Sequence, residues 1–479
     1  MIPASLRPLP RPLLPAVWSA AVIGTTLALI PLLSSPRALP ILLSLAGVLF
    51  AIYLVVRPHV AVLAILVFWF FDVNVTGIKY VNVPQLIAVL LLIPLAITIL
   101  RDPSLTPLRV PELRIFLAIG LVFLAAMGWS YLVHPPAPLA AVDRSWREAR
   151  LLGTRLVFLV FVLYFVRTPR QIKQVIGLLT LLIVASALDA MVPVFHGHTA
   201  HRIRASTGVA ENSNRLAFVA IVGLSTIWFF REFGPARWWK RLTVPLLALL
   251  PVTVLMTASR NGLLQLLVLS GLALRELRHW SPTRRLYGFL VVLAVAFVAV
   301  LAVPSAHLMR ATTFDPTEVR PGQQSLRNRL TTVVAALQMT AEDPLFGVGP
   351  GNFPWRHQAY WGNPQPTHNS YLWALTSGGP VLLGLYLLLF YRVYRRLRRA
   401  EDGAPPEVLW VAKALRVNFL LFLLFTAFAD FWLTEFTYLF VGLGVALDRI
   451  AAEHRAARAP TPARPGPSMV LAPSGAAAA

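Results

Sequence analysis

Apolar runs of roughly 15 to 23 residues recur from one end of this chain to the other, each near the length a helix needs to cross about 30 Å of hydrocarbon. They lie near 16–33, 39–56, 58–72, 83–100, 114–133, 151–166, 174–194, 214–230, 243–257, 261–274, 286–304, 370–391, 409–429 and 432–448. A backbone in lipid has no water to bond, so each run must close its own hydrogen bonds, and runs this long do so as helices. The pattern predicts an all-α polytopic integral membrane protein of about 14 spans, or about 12 if the shorter runs pair or lie flat. Composition closes the alternative. With 57% hydrophobic and 13% charged residues and a mean hydropathy of +0.68 over 479 residues, a water-soluble domain has nowhere to put its apolar surface.

Forty-three Lys and Arg against 20 Asp and Glu give a net charge of +23, which on one continuous surface would suit nucleic acid. The charge is instead parcelled into every second connection: Arg7 and Arg11; Arg57; Arg101, Arg109 and Arg114; Arg167, Arg170 and Lys173; Arg231, Arg237, Lys240 and Arg241; Arg275, Arg278, Arg284 and Arg285; Arg392 to Arg399; and the tail after Arg449. This is the positive-inside alternation, which argues against a nucleic-acid partner and predicts both termini in the cytoplasm. The tract from Arg392 to Arg399 reads as a topology anchor against anionic headgroups. No cysteine is present, so disulfides and thiolate metal sites are excluded. The basic, Pro-rich N-terminus leads into a span without a small-residue cleavage site and reads as an uncleaved signal anchor. Residues 459–479, rich in Pro, Ala and Ser, read as a disordered tail.

Three outward connections are long enough to hold a site: about 134–150, 195–214 and 304–367. In the second, His196, His198 and His201 stand close together. A metal site is one reading, but loop histidines without carboxylates at helical spacing are more simply solvated. Arg204 lies just before Gly208 and the Asn212-Ser213-Asn214 cluster, whose side chains suit a helix N-terminus, and such a terminus beside an arginine makes an anion site. The short connection Thr257-Ala258-Ser259-Arg260 puts a guanidinium at the outer interface, either as a functional charge or as a snorkelling one. The long connection holds Arg327 and Arg329 and an amphipathic stretch from Leu330 to Met339, predicted as a helix lying on the membrane. A glycine-rich segment follows, Gly347-Val348-Gly349-Pro350-Gly351, able to cradle a phosphate or sugar and equally able to make a tight turn. The connection ends in Thr367-His368-Asn369-Ser370. That is a histidine at the mouth of a span next to residues that cap a helix.

This set resembles the O-antigen ligase family, polytopic glycan ligases and polymerases that use polyprenyl-diphosphate-linked sugars. It is carried by Arg204 with Gly208 and Asn212 to Asn214, Thr257 to Arg260, Arg329, Asp343 to Phe353, and His368-Asn369-Ser370-Tyr371-Leu372 with Gly379. The resemblance covers roughly the second half of the chain. The chain departs from the family at Val333, where a tryptophan is frequent, at Ser213, where a proline is usual, and at Leu382, where a second small residue is expected, with Gly384 just beyond.

The resemblance implies a GT-C-like membrane enzyme with a large periplasmic loop, set in the bacterial inner membrane. Residues 1–194 would supply N-terminal spans, 195–458 the catalytic region including loop 304–368, and 459–479 the tail. It implies a glycan donor on polyprenyl diphosphate, a lipid A core or glycan acceptor, a lipid bilayer around the protein, and neither cofactor nor metal. On this reading Arg204 and Arg260 neutralise the departing diphosphate through bidentate bonds. His368 takes the proton of the attacking hydroxyl, and the displacement inverts the anomeric carbon. Arg329, Asn212 and Asn369 are secondary substrate-binding residues, while Asp430 and Glu435 beside Trp432 either pair with arginines or touch sugar. Lipid A core ligation, polymerisation of repeat units and transfer to protein all use the same donor half. A lipid-linked oligosaccharide flippase would also need many spans and arginines, but paired repeats, its usual mark, are absent from the sequence.

Overall fold

The computed structural model describes residues 38–72, 82–101, 109–133, 139–197, 202–234, 239–277 and 324–458, with scattered positions between 281 and 305. The spans expected at 16–33 and 286–304, His198, His201 and the tail lie outside the described residues. The described chain is all-helical: α1 Ala38–Val56, α2 Pro58–Phe70, α3 Val83–Arg101, α4 Pro111–Val133, α5 Leu139–Phe165, α6 Pro169–Phe195, α7 Ser213–Phe233, α8 Trp239–Met256, α9 Arg260–Leu277, α10 Gln324–Glu342, α11 Phe353–Trp361, α12 Ser370–Gly403, α13 Leu409–Thr426 and α14 Glu435–Arg458. Twelve of them fall on expected spans, and six (α3, α4, α6, α7, α12 and α13) are by length and composition each long and apolar enough to cross a membrane. The protein is multi-pass.

One expectation is corrected. The connection read at 134–150 is helical from Leu139 onward, so α5 runs for 27 residues without a break. Its first three turns carry Asp143, Arg144, Arg147, Glu148 and Arg150, which hides them from any hydropathy window. Asp143, Arg144, Arg147 and Arg150 are exposed, and Glu148 is half-buried.

The centre of the bundle is α7, α12, α13 and α14, with α4 and α5 packed on its flank. Phe218 of α7 stacks on Phe425 at 4.5 Å and meets Phe431 and Phe436 edge-on at 5.6 and 5.3 Å. Such aromatic geometry adds about 0.5–1.5 kcal/mol per pair beyond burial, and here it fixes the turn between α13 and α14. At the end of the bundle that carries the basic tract, Arg396 of α12 forks onto Glu112 of α4, with Nε and one terminal nitrogen each 2.8 Å from a carboxylate oxygen, and reaches Asp448 of α14 at 2.8 Å. Arg392 adds a 3.2 Å contact to the same glutamate. Because Glu112 is buried, Glu112→Ala removes the carboxylate that Arg396 and Arg392 share and leaves Arg396 with Asp448 alone. It is expected to cost about 1–3 kcal/mol, read as an earlier thermal unfolding transition in detergent.

Helix α12 is 34 residues long, about 50 Å at 1.5 Å per residue, but it is not one rod. Gly378 and Gly379 leave helical geometry ahead of Pro380, with Gly379 at φ 68°. The break is where the glycine-rich segment docks. A Cβ on Gly379 would sit 2.1 Å from Leu345 O, and one on Gly347 2.3 Å from Thr376 O. Two backbones meet here at a distance that no side chain allows.

Candidate functional site

The site is organised by the turn between α13 and α14. Phe431, wedged in the aromatic cluster, fixes Asp430 beside it, and this carboxylate gathers the segment that leads into α12. Asp430 accepts from the Thr367 hydroxyl and from the backbone N–H groups of His368 and Asn369, the latter two at 3.0 Å. Ser370 donates to Ala429 O at 2.7 Å and accepts from Phe431 N at 2.9 Å. Five bonds thus stitch the two segments together. They hold His368 at φ 50°, a left-handed conformation that costs a non-glycine residue about 1–3 kcal/mol and persists only where its surroundings over-determine it.

His368 is half-buried. Burial pulls its imidazole below the ordinary histidine range, the Asp430 carboxylate opposes this, and the Arg329 guanidinium pushes it lower still. The net direction favours the neutral ring at pH 7, the form that can accept a proton.

Arg329 comes from α10, whose inner face (Thr332, Ala335, Ala336, Met339) is buried, in part against Val348 and Phe353. Its outer face leaves Leu330, Val334 and Leu337 exposed, so the helix expected over Leu330–Met339 exists and is apolar on both sides. Burial, and then the neighbouring Arg260, lower the proton affinity of Arg329, while Asp430 acts against them. Arg329 Nε is buried and has no hydrogen-bond partner. An orphaned guanidinium nitrogen beside a second guanidinium is an arrangement that an anion would complete.

Arg260 opens α9 immediately after a sharp reversal. Ala258 sits at φ 48° and Ser259 Oγ accepts from Gly262 N at 3.1 Å, capping the helix whose positive end faces the same region. Arg202 secures this reversal from the neighbouring connection, donating to Thr257 O at 2.8 Å and to Asn214 at 3.0 Å.

The structure therefore brings together Arg260, Arg329 and His368. Arg204 stands exposed on the adjoining segment, next to Ile203, whose N–H reaches Met256 O at 3.3 Å. Asn212 caps α7 through Asn214 N at 2.8 Å, and Asn369 caps α12, its side chain accepting from Tyr371 and Leu372 N at 2.8 and 3.1 Å. The glycine segment packs against protein: Gly351 lies on the α5 backbone, where a Cβ would be 2.7 Å from Ser145 N, and Ser145 donates to Pro350 O at 2.5 Å. Of its two readings, tight turn and cradle, the close approach observed is the turn's. Glu435 pairs with Arg155, the structural pairing expected of it.

On the other side of Asp430 opens a cavity of about 700 Å³ lined by Trp69, Trp373, Trp432, Thr367, Gly351 and the α5 residues Arg144, Arg147 and Glu148. Sequence reasoning missed this α5 contribution. The available signal was a cluster of charges directly abutting an apolar run, which marks that end of the helix as lying outside the hydrocarbon. No group of three His, Cys, Asp or Glu close enough to hold a metal ion occurs among the described residues. His196 turns its Nδ1 to Val192 O at 2.8 Å.

Residues 244–387 match the family described as O-antigen ligase, the family that the motif set resembles. No curated protein matches the chain. The match covers α8, α9, α10, α11 and the first half of α12, and with them Arg260, Arg329 and His368. It supports a membrane glycan transferase of the ligase or polymerase type.

Proposed function

We propose that this chain, carrying the O-antigen ligase segment in its second half, transfers a glycan from polyprenyl diphosphate to a hydroxyl of the lipid A core at the outer face of the bacterial inner membrane. Both its termini then lie in the cytoplasm. The observation that carries the reading is the pair Arg260 and Arg329 beside His368, with Arg329 Nε lacking a partner inside the protein. A diphosphate offers the paired oxygens that fork onto guanidinium groups, and Arg204 on the adjoining exposed segment adds a third. His368 accepts the proton of the acceptor hydroxyl as its oxygen attacks the anomeric carbon. The bond to the diphosphate breaks, and the electron pair leaves on a phosphate oxygen facing the arginines. Attack opposite the leaving group inverts the centre. No step calls for a metal, since the arginines meet the charge of the leaving group.

The direct test is purified protein in liposomes given polyprenyl-diphosphate glycan with either lipid A core or a second lipid-linked glycan, resolved on a gel. A single-step shift of the core supports ligation, and a ladder on the lipid carrier assigns polymerisation instead. Absence of product with both acceptors overturns the reading in favour of protein acceptors or of lipid-linked glycan flipping.

Asp430 supplies a finer prediction. Its charge holds the His368 proton affinity up, and a base is lost as pH falls through its pKa. Asp430→Asn lowers that pKa, so the acid limb of the pH–rate profile is expected to move to lower pH. Loosening of the strained loop lowers the plateau as well. An acid limb unmoved or shifted upward would separate Asp430 from the titrating group.

A further inference from the structure

Glu148 is a buried carboxyl that the transfer chemistry does not use. It lies in the polar first turns of α5, before the apolar span that begins at Leu151. It accepts hydrogen bonds from the Trp373 indole and from Gly351 N–H. Its Oε2 is buried and has no hydrogen-bond partner. Natural proteins seldom leave such an oxygen orphaned unless something outside the chain completes it. The cavity it lines, about 700 Å³, falls in the range of about 300–1,000 Å³ typical of small-molecule sites. Its walls combine three tryptophans with polar groups of both signs. Trp69 is half-buried and presents an apolar face to the cavity, while the buried Trp373 and Trp432 pack on each other with ring centroids 4.5 Å apart; an apolar face of this kind suits the C–H surface of a pyranose, and the polar groups meet its hydroxyls.

Position adds the second argument. Asp430 lines this cavity and couples electrostatically both to Glu148 on one side and to His368 and Arg329 on the other. A molecule in the cavity is therefore separated from the arginine pair by the same carboxylate that positions the base, which is where the nucleophile must come from if the diphosphate lies against the arginines.

We propose that this cavity is the acceptor-sugar subsite, and that Glu148 Oε2 hydrogen-bonds a hydroxyl of the sugar that receives the glycan. The assignment rests on the reading of the protein as a glycan transferase. Burial and then the Asp430 charge raise the Glu148 carboxyl to about 7, against Trp373, Arg144 and Gly351, which lower it. Near neutral pH the group can thus either give or take a hydrogen bond from a hydroxyl.

The test measures binding, not turnover. Lipid A core oligosaccharide, freed of its lipid by mild acid, is titrated into full-length protein in detergent and followed by saturation-transfer NMR. Polyprenyl diphosphate is titrated in parallel. Glu148→Ala is expected to weaken the oligosaccharide roughly tenfold or more, the effect of losing one buried hydrogen-bonding partner, and to leave polyprenyl diphosphate unchanged, which also shows that the variant is folded. Glu148→Gln keeps an acceptor oxygen for Trp373 and Gly351 and is expected to stay within about threefold of wild type. Equal oligosaccharide affinity in wild type and Glu148→Ala, or no binding to wild type, overturns the subsite. If Glu148→Ala disturbs folding, Glu148→Leu, which keeps bulk and removes both oxygens, takes its place, and wild-type oligosaccharide affinity in that protein with diphosphate affinity intact likewise overturns the subsite. Glu148-dependent oligosaccharide binding in a protein that transfers nothing in the liposome assay would sink the transferase reading and leave the subsite standing.

Discussion

Membranes bearing His368→Ala are expected to contain normal amounts of protein and to show transfer reduced by about 10²–10⁴-fold, the usual contribution of a positioned general base. The size follows from the acceptor. A sugar hydroxyl is a very weak acid, so its attack leans heavily on a positioned base. The loss belongs in kcat, since the imidazole acts on the proton as the bond forms and not on the resting complex. The strained backbone does not confound the comparison: alanine at φ 50° keeps the N–H that bonds Asp430 at 3.0 Å, so the loop retains its anchor. Wild-type turnover in these membranes would remove His368 from the chemistry.

Arg260→Lys and Arg329→Lys are each expected to reduce transfer by about 10²–10³-fold, the range found when one donor to a developing negative charge is removed from a preorganised site. Lysine preserves the charge and loses the fork, so the comparison separates geometry from electrostatics. Arg329→Lys is the sharper case. The orphaned atom is Nε, which lysine lacks altogether, and burial with an adjacent guanidinium would drive a lysine toward neutrality far more readily than an arginine. Its deficit should therefore grow as pH rises above 7, while that of Arg260→Lys stays flat. Initial rates over a range of donor concentrations check both, and deficits confined to donor KM would mean that the arginines bind the ground state only.

Much of the fold was legible because one signal, apolar length, governs each span separately. The existence and order of α1 to α4, α6 to α9 and α12 to α14 follow from it, although α12 runs on to Gly403 and α14 to Arg458, past the ends at 391 and 448 that apolar length marks. Helix α5 shows where it fails. Arg144, Arg147 and Glu148 look like loop to a hydropathy window, although they are helical and face a protein-lined cavity, and hydropathy carries no information on which helix will stand opposite. The site divides in the same way. Arg260 and His368 stood out because each is a polar residue at the mouth of an apolar run. Asp430 announced a turn but not that it would grip residues 367–369, some sixty positions away in the chain, because no local rule encodes that pairing. The glycines of 347–351 were ambiguous by nature: permission for close approach does not say what approaches, and here it is the backbone of α5 and the break in α12.

The latch between Asp430 and the His368 loop also sets an order of events during biosynthesis. Membrane helices enter the bilayer from the N-terminus onward, so Arg260, Arg329 and His368 are all made before the residue that fixes the base in place. A nascent chain that has reached α12 carries all three side chains without the Asp430 bonds that hold residues 367–369. Only when α13 has crossed and the turn has closed on its aromatic wedge does the histidine adopt its strained pose.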